Sequence, residues 1–254
     1  MFFERSGSLY IGRFRELFRN RRLIHGFSTR PGGVSGVPFD TLNLGQNTSD
    51  DPGCVKENRN RFFQAVEISE TQAVIPGQVH GVRIVRVTDP GIFPDTDGVI
   101  TDAPGLALTV QTADCVPVFL VDPSRPAIGL VHAGWKGSAL GIAAEGVRAM
   151  QEAFGSRPET LDIFLGPSIG PCCYEVGPDV AGRFEPGYVS GNRLDLWRYN
   201  VDMMIQSGAR PERISTARLC TKCQPQWFFS HRARGGDAGR MLAVLAIQNK
   251  NGNE

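Results

Sequence analysis

Residues 106–132 read LALTVQTADCVPVFLVDPSRPAIGLVH, and this stretch decides the fold class. It predicts three β-strands in close succession, separated only by short turn-like segments: Leu106–Thr112, Val116–Val121 and Ala127–His132. A helix is predicted next, from Ser138 as the capping residue to Phe154, with Gly155 ending it. Strands that follow one another without an intervening helix favour an α+β domain with mixed sheets over a regular strand–helix–strand alternation.

The remaining sequence also predicts more strands than helices. Further strands are expected over Arg83–Val87, Leu161–Leu165, Ile214–Leu219, Gln226–Ser230 and Met241–Ile247. Further helices are expected over Val55–Val66 and Asp195–Gln206, an ordered turn-rich loop over Ser28–Asp51, and a frayed polar tail over Asn249–Glu254. No repeat or flexible linker divides the sequence, so we expect a single domain over residues 1–254, with the motifs described below between about residues 20 and 247.

The composition is typical of a globular protein. Of the 254 residues, 41% are hydrophobic and 21% are charged, and 27 basic residues nearly balance 26 acidic ones. A disordered tail or a nucleic-acid-binding protein would carry a larger charge excess, so we expect neither. The longest clean apolar run, Val116–Val121, is far shorter than the roughly 18 residues of a membrane span. The Arg-rich N-terminal region lacks the apolar core of a secretory signal, which leads us to expect a cytoplasmic protein without membrane partners.

The six cysteines are scattered among apolar segments, so we expect thiols or metal ligands and not disulfides. Cys220 and Cys223 form a lone Cys-x-x-Cys pair, whereas a zinc ribbon needs a second such pair. The adjacent Cys172 and Cys173 are poorly spaced to supply it. We therefore expect structural thiols or a redox pair at Cys220 and Cys223, and a packing or pocket-lining role for Cys172 and Cys173.

Two of the four histidines lie next to turns at predicted strand ends, as does one cysteine. They are His80, Cys115 and His132, and separate strand ends can converge on one face of a domain. Two imidazoles and a thiolate suit a catalytic zinc ion with an open fourth position. The same residues could instead form a cysteine nucleophile with a histidine base, or a mononuclear copper centre, which would want a weak axial ligand. A buried structural thiol with two turn-filling histidines is the remaining interpretation.

Several basic side chains near turns are candidates for binding an anionic substrate, because guanidinium groups suit phosphate and carboxylate. They are Arg30, Arg59, Lys136 and Arg232. The sequence contains no Walker loop, no Gly-x-Gly-x-x-Gly fingerprint and no nucleobase-deaminase zinc signature.

The order of these motifs resembles the YfiH-like family, also called laccase-domain or multicopper polyphenol oxidase proteins. The resemblance covers nearly the whole chain and rests on ordered segments at Ser28–Ser35, Leu42–Gly45, Pro76–Gly81, Asp97–Asp102, Thr112–Pro117, Val131–Gly137, Gly166–Val176, Phe228–Arg232 and Gly239–Arg240. One departure is His231, where the family pattern has a tyrosine.

The resemblance implies a single α+β domain with an architecture similar to cysteine hydrolases, and a zinc site formed by His80, Cys115 and His132. It further implies phosphorolysis of adenosine, inosine, guanosine and methylthioadenosine, with deamination of adenosine in the same pocket. From motif position we expect Arg59 and Arg232 to bind the anion. On the same basis, Asn43 and Gln78 are expected to bind the base or the ribose. The expected partners are purine nucleosides and phosphate, and the expected state is a monomer or weak homo-oligomer.

Three other functions remain open at this point. A multicopper oxidase needs many imidazole ligands for its trinuclear cluster, and four histidines cannot supply them, although mononuclear copper at the same site is possible. A hydrolase of amides or peptidoglycan-related substrates would use Cys115 as its nucleophile. A zinc-stabilised binding module would turn over no nucleoside.

Overall fold

The chain is built mainly from β-strands, which the structure, a computed structural model, describes within residues 1–249. Of the tail expected to fray, residues 250–254 therefore lie outside the described part. The strands are β1 (Phe2–Ser6), β2 (Leu9–Arg13), β3 (Leu23–Ser28), β4 (Ala73–Pro76), β5 (Ile84–Arg86), β6 (Gly91–Phe93), β7 (Gly98–Thr101), β8 (Ala107–Thr112), β9 (Val116–Asp122), β10 (Ala127–Ala133), β11 (Asp162–Leu165), β12 (Val189–Ser190), β13 (Arg193–Leu194), β14 (Ile214–Thr216) and β15 (Met241–Ile247).

Helices are fewer and mostly short. They are α1 (Arg15–Arg19), α2 (Pro52–Ala65), α3 (Trp135–Ala139), α4 (Ile142–Phe154), α5 (Pro178–Ala181), α6 (Leu196–Gln206) and α7 (His231–Arg234). Short 3-10 turns lie at Glu70–Gln72, Pro158–Thr160, Pro186–Tyr188, Pro211–Arg213 and Gly235–Asp237. Within residues 1–249, no helix is both long and apolar enough to cross a lipid bilayer.

The strands form two large sheets and one small ribbon. The larger sheet has the order β1-β2-β3-β15-β8-β4-β6, the second has the order β14-β11-β9-β10-β7-β5, and β12 pairs with β13. Most neighbours are antiparallel, but β4 runs parallel to β6 and β8, β5 to β7, and β11 to β14. The expected α+β fold with mixed sheets is therefore confirmed.

The two large sheets pack face to face through a core that strands of both sheets share. Alternate residues of a strand point to opposite faces, and β9 shows this clearly. Phe119 and Val121 pack in the core between the sheets, whereas Val118 and Leu120 pack on the other side, against the helices. Because β9 is buried on both faces, its sequence is a continuous apolar run instead of an alternating one.

Helices cover the outer face of each large sheet. Helix α4 packs Ala143, Val147 and Met150 into the core cluster of the second sheet, and α6 contributes to the same cluster. Helix α2, capped by the Asp51 side chain, packs Phe62 and Phe63 against the larger sheet. The layers are thus helix, sheet, sheet and helix.

Two predicted elements differ from the structure. Ser138 does not cap the long helix: α3 ends at Ala139, and α4 begins after Gly141, whose φ of 87° interrupts the helical backbone. The prediction that Gly155 ends the helix is confirmed, with a φ of 63°. The strand expected over Gln226–Ser230 is wrong, because that segment folds as a turn in which the backbone N–H of Trp227 and of Phe228 donates to the Gln224 carbonyl.

Candidate metal centre

His80, Cys115 and His132 lie where the chain passes between the two large sheets. His80 is in the loop from β4 to β5, and Cys115 is in the loop from β8 to β9; each loop connects the larger sheet to the second one. His132 lies near the end of β10. Antiparallel pairing of β9 and β10 sets Ala133 opposite Val116, which brings the end of β10 beside Cys115.

The structure brings these three side chains together, as their positions at strand ends predict. The ligand atoms of His80, Cys115 and His132 all lie within 4.8 Å of one another. The two imidazole rings lie edge to face, with centroids 4.9 Å apart and an interplanar angle of 74°. His132 is buried, Cys115 is half-buried and His80 is exposed, so the group is open to solvent on the His80 side.

Asp97, which sequence reasoning quoted in a motif but gave no role, organises this group. Its fully buried carboxylate accepts hydrogen bonds from the backbone N–H of Val79, His80 and Gly81, at 3.2, 2.9 and 2.7 Å. Asp97 Oδ1 also lies 2.9 Å from His132 Nδ1. The carboxylate therefore holds both histidines in place, although His80 has the uncommon left-handed backbone, with φ of 62°. With Nδ1 engaged, Nε2 is the nitrogen of His132 left for a ligand.

Charges within the group favour a thiolate beside an imidazolium. Burial opposes ionisation of Cys115, but His132, and to a lesser degree His80, lower the pKa of its thiol to about 6. Burial likewise disfavours a charged His132 ring, yet Cys115 and Asp97 raise the pKa of His132 to about 9. Burial would raise the pKa of Asp97, but hydrogen bonds from His132 and from backbone N–H groups bring it below its usual range. In the metal-free protein, the anionic and cationic partners stabilise one another.

The donor set and its surroundings fit a zinc-like metal ion. Two imidazoles and one thiolate are ligands that zinc prefers, and a histidine whose second nitrogen bonds a carboxylate is a common partner of such ions. The backbone at Gly134 also leaves room for the group. A Cβ there would lie 2.8 Å from His80 Cδ2 and 2.9 Å from Cys115 Sγ, so a larger residue would press on two of the three ligands.

Three of the predicted substrate-binding side chains are engaged elsewhere. The amide of Asn43 is fully buried: it donates to Thr48 and Asp50, and it accepts from the backbone of Gly45 and Arg240. Both side-chain polar atoms of Gln78 bond the backbone of Gln111 in β8, at 2.8 Å each.

Arg59 is 2% exposed, forms an ion pair with Glu70 at 2.5 Å and donates to the Leu44 carbonyl. These polar partners of Arg59, like those of Asn43 and Gln78, lie within the protein's own loops and strands. The structure therefore gives all three a role in organising the backbone, and their contact with substrate stays a prediction.

Arg232, the fourth predicted residue, lies close to the candidate metal centre. Its backbone N–H donates to Asp114 Oδ2 at 2.6 Å, and its guanidinium lies 5.0 Å from the centre of the Tyr174 ring. Burial raises the pKa of Tyr174, and the negative charge of Cys115 adds to this effect. The phenol of Tyr174 therefore stays protonated, and it lies close enough to Cys115 for the charge of that thiolate to act on it.

Sequence reasoning missed Asp114, Tyr174 and Arg240 as members of this neighbourhood. Burial lowers the pKa of Arg240, while the charges of Cys115 and Asp114 oppose that change. All three residues lie in or beside quoted motifs, but which of them approach Cys115 depends on contacts between distant loops. Asp114 is the one with a local sequence signal, since it directly precedes Cys115. In the structure it has the uncommon positive φ of 95°.

The expectation for the other cysteines is corrected. Cys172 and Cys173 were judged poorly spaced to join Cys220 and Cys223, yet the four sulfur atoms all lie within 4.8 Å of one another. Strands β11 and β14 are parallel neighbours, so the loops that follow them leave the same edge of the sheet. Spacing along the chain did not reveal this proximity.

Comparison with known proteins identifies the family. A family model described as multi-copper polyphenol oxidoreductase laccase matches residues 24–248. The chain is 34% identical over 250 residues to the purine nucleoside phosphorylase YlmD of Bacillus subtilis, with 90% of each chain covered. It is 37% identical over 241 residues to a purine nucleoside phosphorylase of Deinococcus radiodurans, with 92% of each covered. The crystal structure of YlmD from Geobacillus stearothermophilus matches with a TM-score of 0.89 at 32% identity, over 97% of this chain and 99% of that one. On fold, motifs and similarity together, the chain belongs to the YfiH-like, laccase-domain family.

Proposed function

We propose that this chain is a zinc-dependent purine nucleoside phosphorylase whose metal is held by His80, Cys115 and His132. The observation that carries the proposal is the convergence of two imidazoles and one thiolate, donor types that a catalytic zinc ion uses, with one histidine oriented by Asp97. Three protein ligands leave a position for a reactant, which distinguishes this arrangement from a closed structural site. The names of relatives that match nearly end to end support the same reaction class.

Phosphorolysis forms a bond between a phosphate oxygen and C1′ of the ribose. The bond from C1′ to the purine breaks, and the base leaves with the electron pair and takes up a proton. A bound zinc ion would act as a Lewis acid and could supply an activated water for hydrolytic deamination of adenosine. The substrates we propose are adenosine, inosine, guanosine and methylthioadenosine.

The chain's own residues would bind phosphate and orient the nucleoside. The guanidinium of Arg232 donates to the Glu175 carbonyl and that of Arg240 to the Gly239 carbonyl, but neither is in an ion pair among the described residues. Both place positive charge near Cys115, which makes them better candidates for phosphate than Arg59, which is buried and paired with Glu70. The protonated phenol of Tyr174 can donate a hydrogen bond to a substrate oxygen. His132, held by Asp97, would keep its orientation throughout the reaction.

The test measures product release and metal content together. Wild type, Cys115→Ala and the control Cys54→Ala, whose cysteine belongs to neither sulfur-containing group, are incubated with adenosine with and without phosphate. Adenine, inosine and hypoxanthine are followed by chromatography. We expect phosphate-dependent adenine release in wild type and in Cys54→Ala, and its loss with the metal in Cys115→Ala. Absence of turnover by zinc-loaded wild type would refute the proposal.

A cysteine-dependent hydrolase of amides or peptidoglycan-related substrates is the second candidate, and the charge state of Cys115 favours it. A thiol pKa of about 6 beside a histidine is the property of an activated nucleophile. The two candidates differ in the reactivity of Cys115 in the metal-loaded protein. Alkylation followed by peptide mass spectrometry should find Cys115 shielded until zinc is stripped if it is a ligand, and reactive throughout if it is a free nucleophile.

Copper is the remaining alternative for the metal, with polyphenol oxidation as its activity. The family description mentions copper, but within the described residues only His80 and His132 join the group that contains Cys115. His25 is buried elsewhere and accepts a hydrogen bond from the Phe14 backbone at 2.9 Å. Metal analysis of protein purified without added metal, with a phenol oxidation assay, distinguishes copper from zinc.

A further inference from the structure

A second group of soft ligands lies outside the candidate metal centre, at the ends of β11 and β14. Cys172 and Cys173 come from the loop after β11, and Cys220 and Cys223 come from the loop after β14. Cys223 Sγ lies 3.3 Å from Cys173 Sγ and 3.5 Å from Cys172 Sγ, and all four sulfurs fall within 4.8 Å of one another. Cys220 is buried, Cys173 is half-buried, and the other two are exposed.

We propose that these four cysteines bind one zinc ion as a closed, structural tetrathiolate site. Four thiolates around zinc at about 2.3 Å form a tetrahedron whose sulfur–sulfur edges are about 3.8 Å. The separations in the protein already approach that value, so small side-chain adjustments would complete the coordination. Two loops contribute two ligands each, and Cys220 and Cys223 have the Cys-x-x-Cys spacing that is usual in structural zinc sites.

Neighbouring groups support the binding of a cation. The Gly170 N–H donates to Cys220 Sγ at 3.3 Å, as backbone donors do to metal-bound thiolates. A divalent ion would compensate the negative charge of several thiolates at once.

A disulfide explains this arrangement less well than a metal. Cys223 contacts two other sulfurs at similar distances, so a bond to either one would leave the second beside it without a partner. Any single disulfide would use two of the four cysteines. A tetrahedral ion uses all of them.

The position of the cluster explains what a structural ion would do there. Thr221, next to Cys220, donates its hydroxyl to Asp114 Oδ1 at 2.6 Å, and the Ile169 N–H donates to the Asp114 carbonyl at 2.9 Å. Both loops that hold the four cysteines therefore also hold Asp114, which directly precedes Cys115. An ion at the cluster would fix these loops and, through Asp114, the position of Cys115, while taking no part in the reaction itself.

The experiment counts zinc in protein purified under reducing, anaerobic conditions and dialysed against zinc. We expect about two zinc ions per chain in wild type and in Cys54→Ser, and about one in the double variant Cys173→Ser/Cys223→Ser. The variant His80→Ala/Cys115→Ser removes the candidate metal centre and should also retain about one. Circular dichroism checks that each variant is folded.

Cobalt substitution of wild type provides a readout that needs no variant. Tetrahedral cobalt bound by four thiolates gives intense visible and sulfur-to-metal charge-transfer bands, distinct from those of a site with one thiolate and two imidazoles. Titration should therefore reveal both spectra in one protein. Absence of the four-thiolate spectrum, with all four thiols reduced, would overturn the proposal, as would a disulfide among these cysteines in the freshly isolated protein. Either result leaves the phosphorylase assay unaffected, so failure here is distinguishable from failure of the proposed function.

Discussion

Replacing Asp97 by asparagine tests how the candidate metal centre is organised. The carboxylate has two acceptor oxygens facing four donors: Oδ1 serves His80 N–H and His132 Nδ1, and Oδ2 serves the N–H groups of Val79 and Gly81. An amide of the same shape has one acceptor oxygen and one NH₂ group. In either orientation, the NH₂ group would face two of these donors.

The expected magnitude follows from the count of lost contacts. Two hydrogen bonds to a charged group contribute about 1.5–3 kcal/mol each, so Asp97→Asn should lower the free energy of unfolding by about 3–6 kcal/mol. Loss of the oriented His132 ring should also weaken zinc binding by about 10–100-fold. Asp102→Asn is the matched control, because Asp102 lies at the surface in an ion pair with Arg86 at 3.0 Å and should change stability by less than about 1 kcal/mol.

The assay is urea unfolding in the presence of a chelator, so that metal binding does not contribute to the measured stability. Zinc affinity is then measured separately by competition with a chromophoric chelator. If the free energies of unfolding of Asp97→Asn and Asp102→Asn differ by less than about 1 kcal/mol, the four hydrogen bonds to Asp97 do not stabilise the loop as we infer, and the reasoning is refuted.

Three further predictions concern a buried histidine, a close glycine and the core. Burial, with the charge of Arg13, lowers the pKa of His25 from 6.5 to about 3, so its stabilising effect is complete above pH 6.5 and is lost as the pH falls towards 3. Between pH 7 and pH 5 urea unfolding should therefore show a loss of about 2 kcal/mol that His25→Gln lacks. Gly134→Ala should weaken zinc binding at least about tenfold in the competition assay, because its Cβ would displace the Cys115 and His80 side chains. Phe119→Ala should lower the free energy of urea unfolding by about 3–5 kcal/mol, because it opens a cavity between the two sheets.

Matched controls make these outcomes decisive. A pH slope of stability that is the same in wild type and His25→Gln would contradict the histidine prediction. Gly187→Ala, where a Cβ would meet nothing within 4 Å, should bind zinc as wild type does; Gly134→Ala behaving identically would contradict the steric argument. Phe18, which is 49% exposed, gives the control for the core, and Phe18→Ala should cost less than about 1 kcal/mol.

The sequence allowed prediction of features that depend on local patterning. The apolar run of β9 and the helix C-terminus at Gly155 are such features, because burial on both faces and a left-handed residue leave a direct signature. The proximity of His80, Cys115 and His132 was also predictable, since side chains at strand ends tend to meet at one edge, whereas their role as metal ligands was implied only by the family resemblance. The strand predicted over Gln226–Ser230 was wrong because apolar residues are not a signature of strands alone. Its aromatic residues are apolar because they are buried, although the backbone there is a turn.

Features that depend on pairing between distant segments could not be predicted. To predict the role of Asp97, one would need to know that three consecutive backbone N–H groups of another loop donate to its carboxylate. To predict the ion pair of Arg59, one would need to know that Glu70 lies beside helix α2. To predict the proximity of the four cysteines, one would need to know that β11 and β14 are parallel neighbours, and the spacing of the cysteines along the chain does not show this.

The passage of two loops between the large sheets has a consequence for the stability of the protein. His80 and Cys115 each lie on a connection that begins in one sheet and ends in the other, and His132 lies near the end of β10 in the second sheet. An ion that bound all three side chains would hold both connections in their native positions and would add its binding free energy to the folded state. Its removal would therefore loosen the two connections that join the sheets.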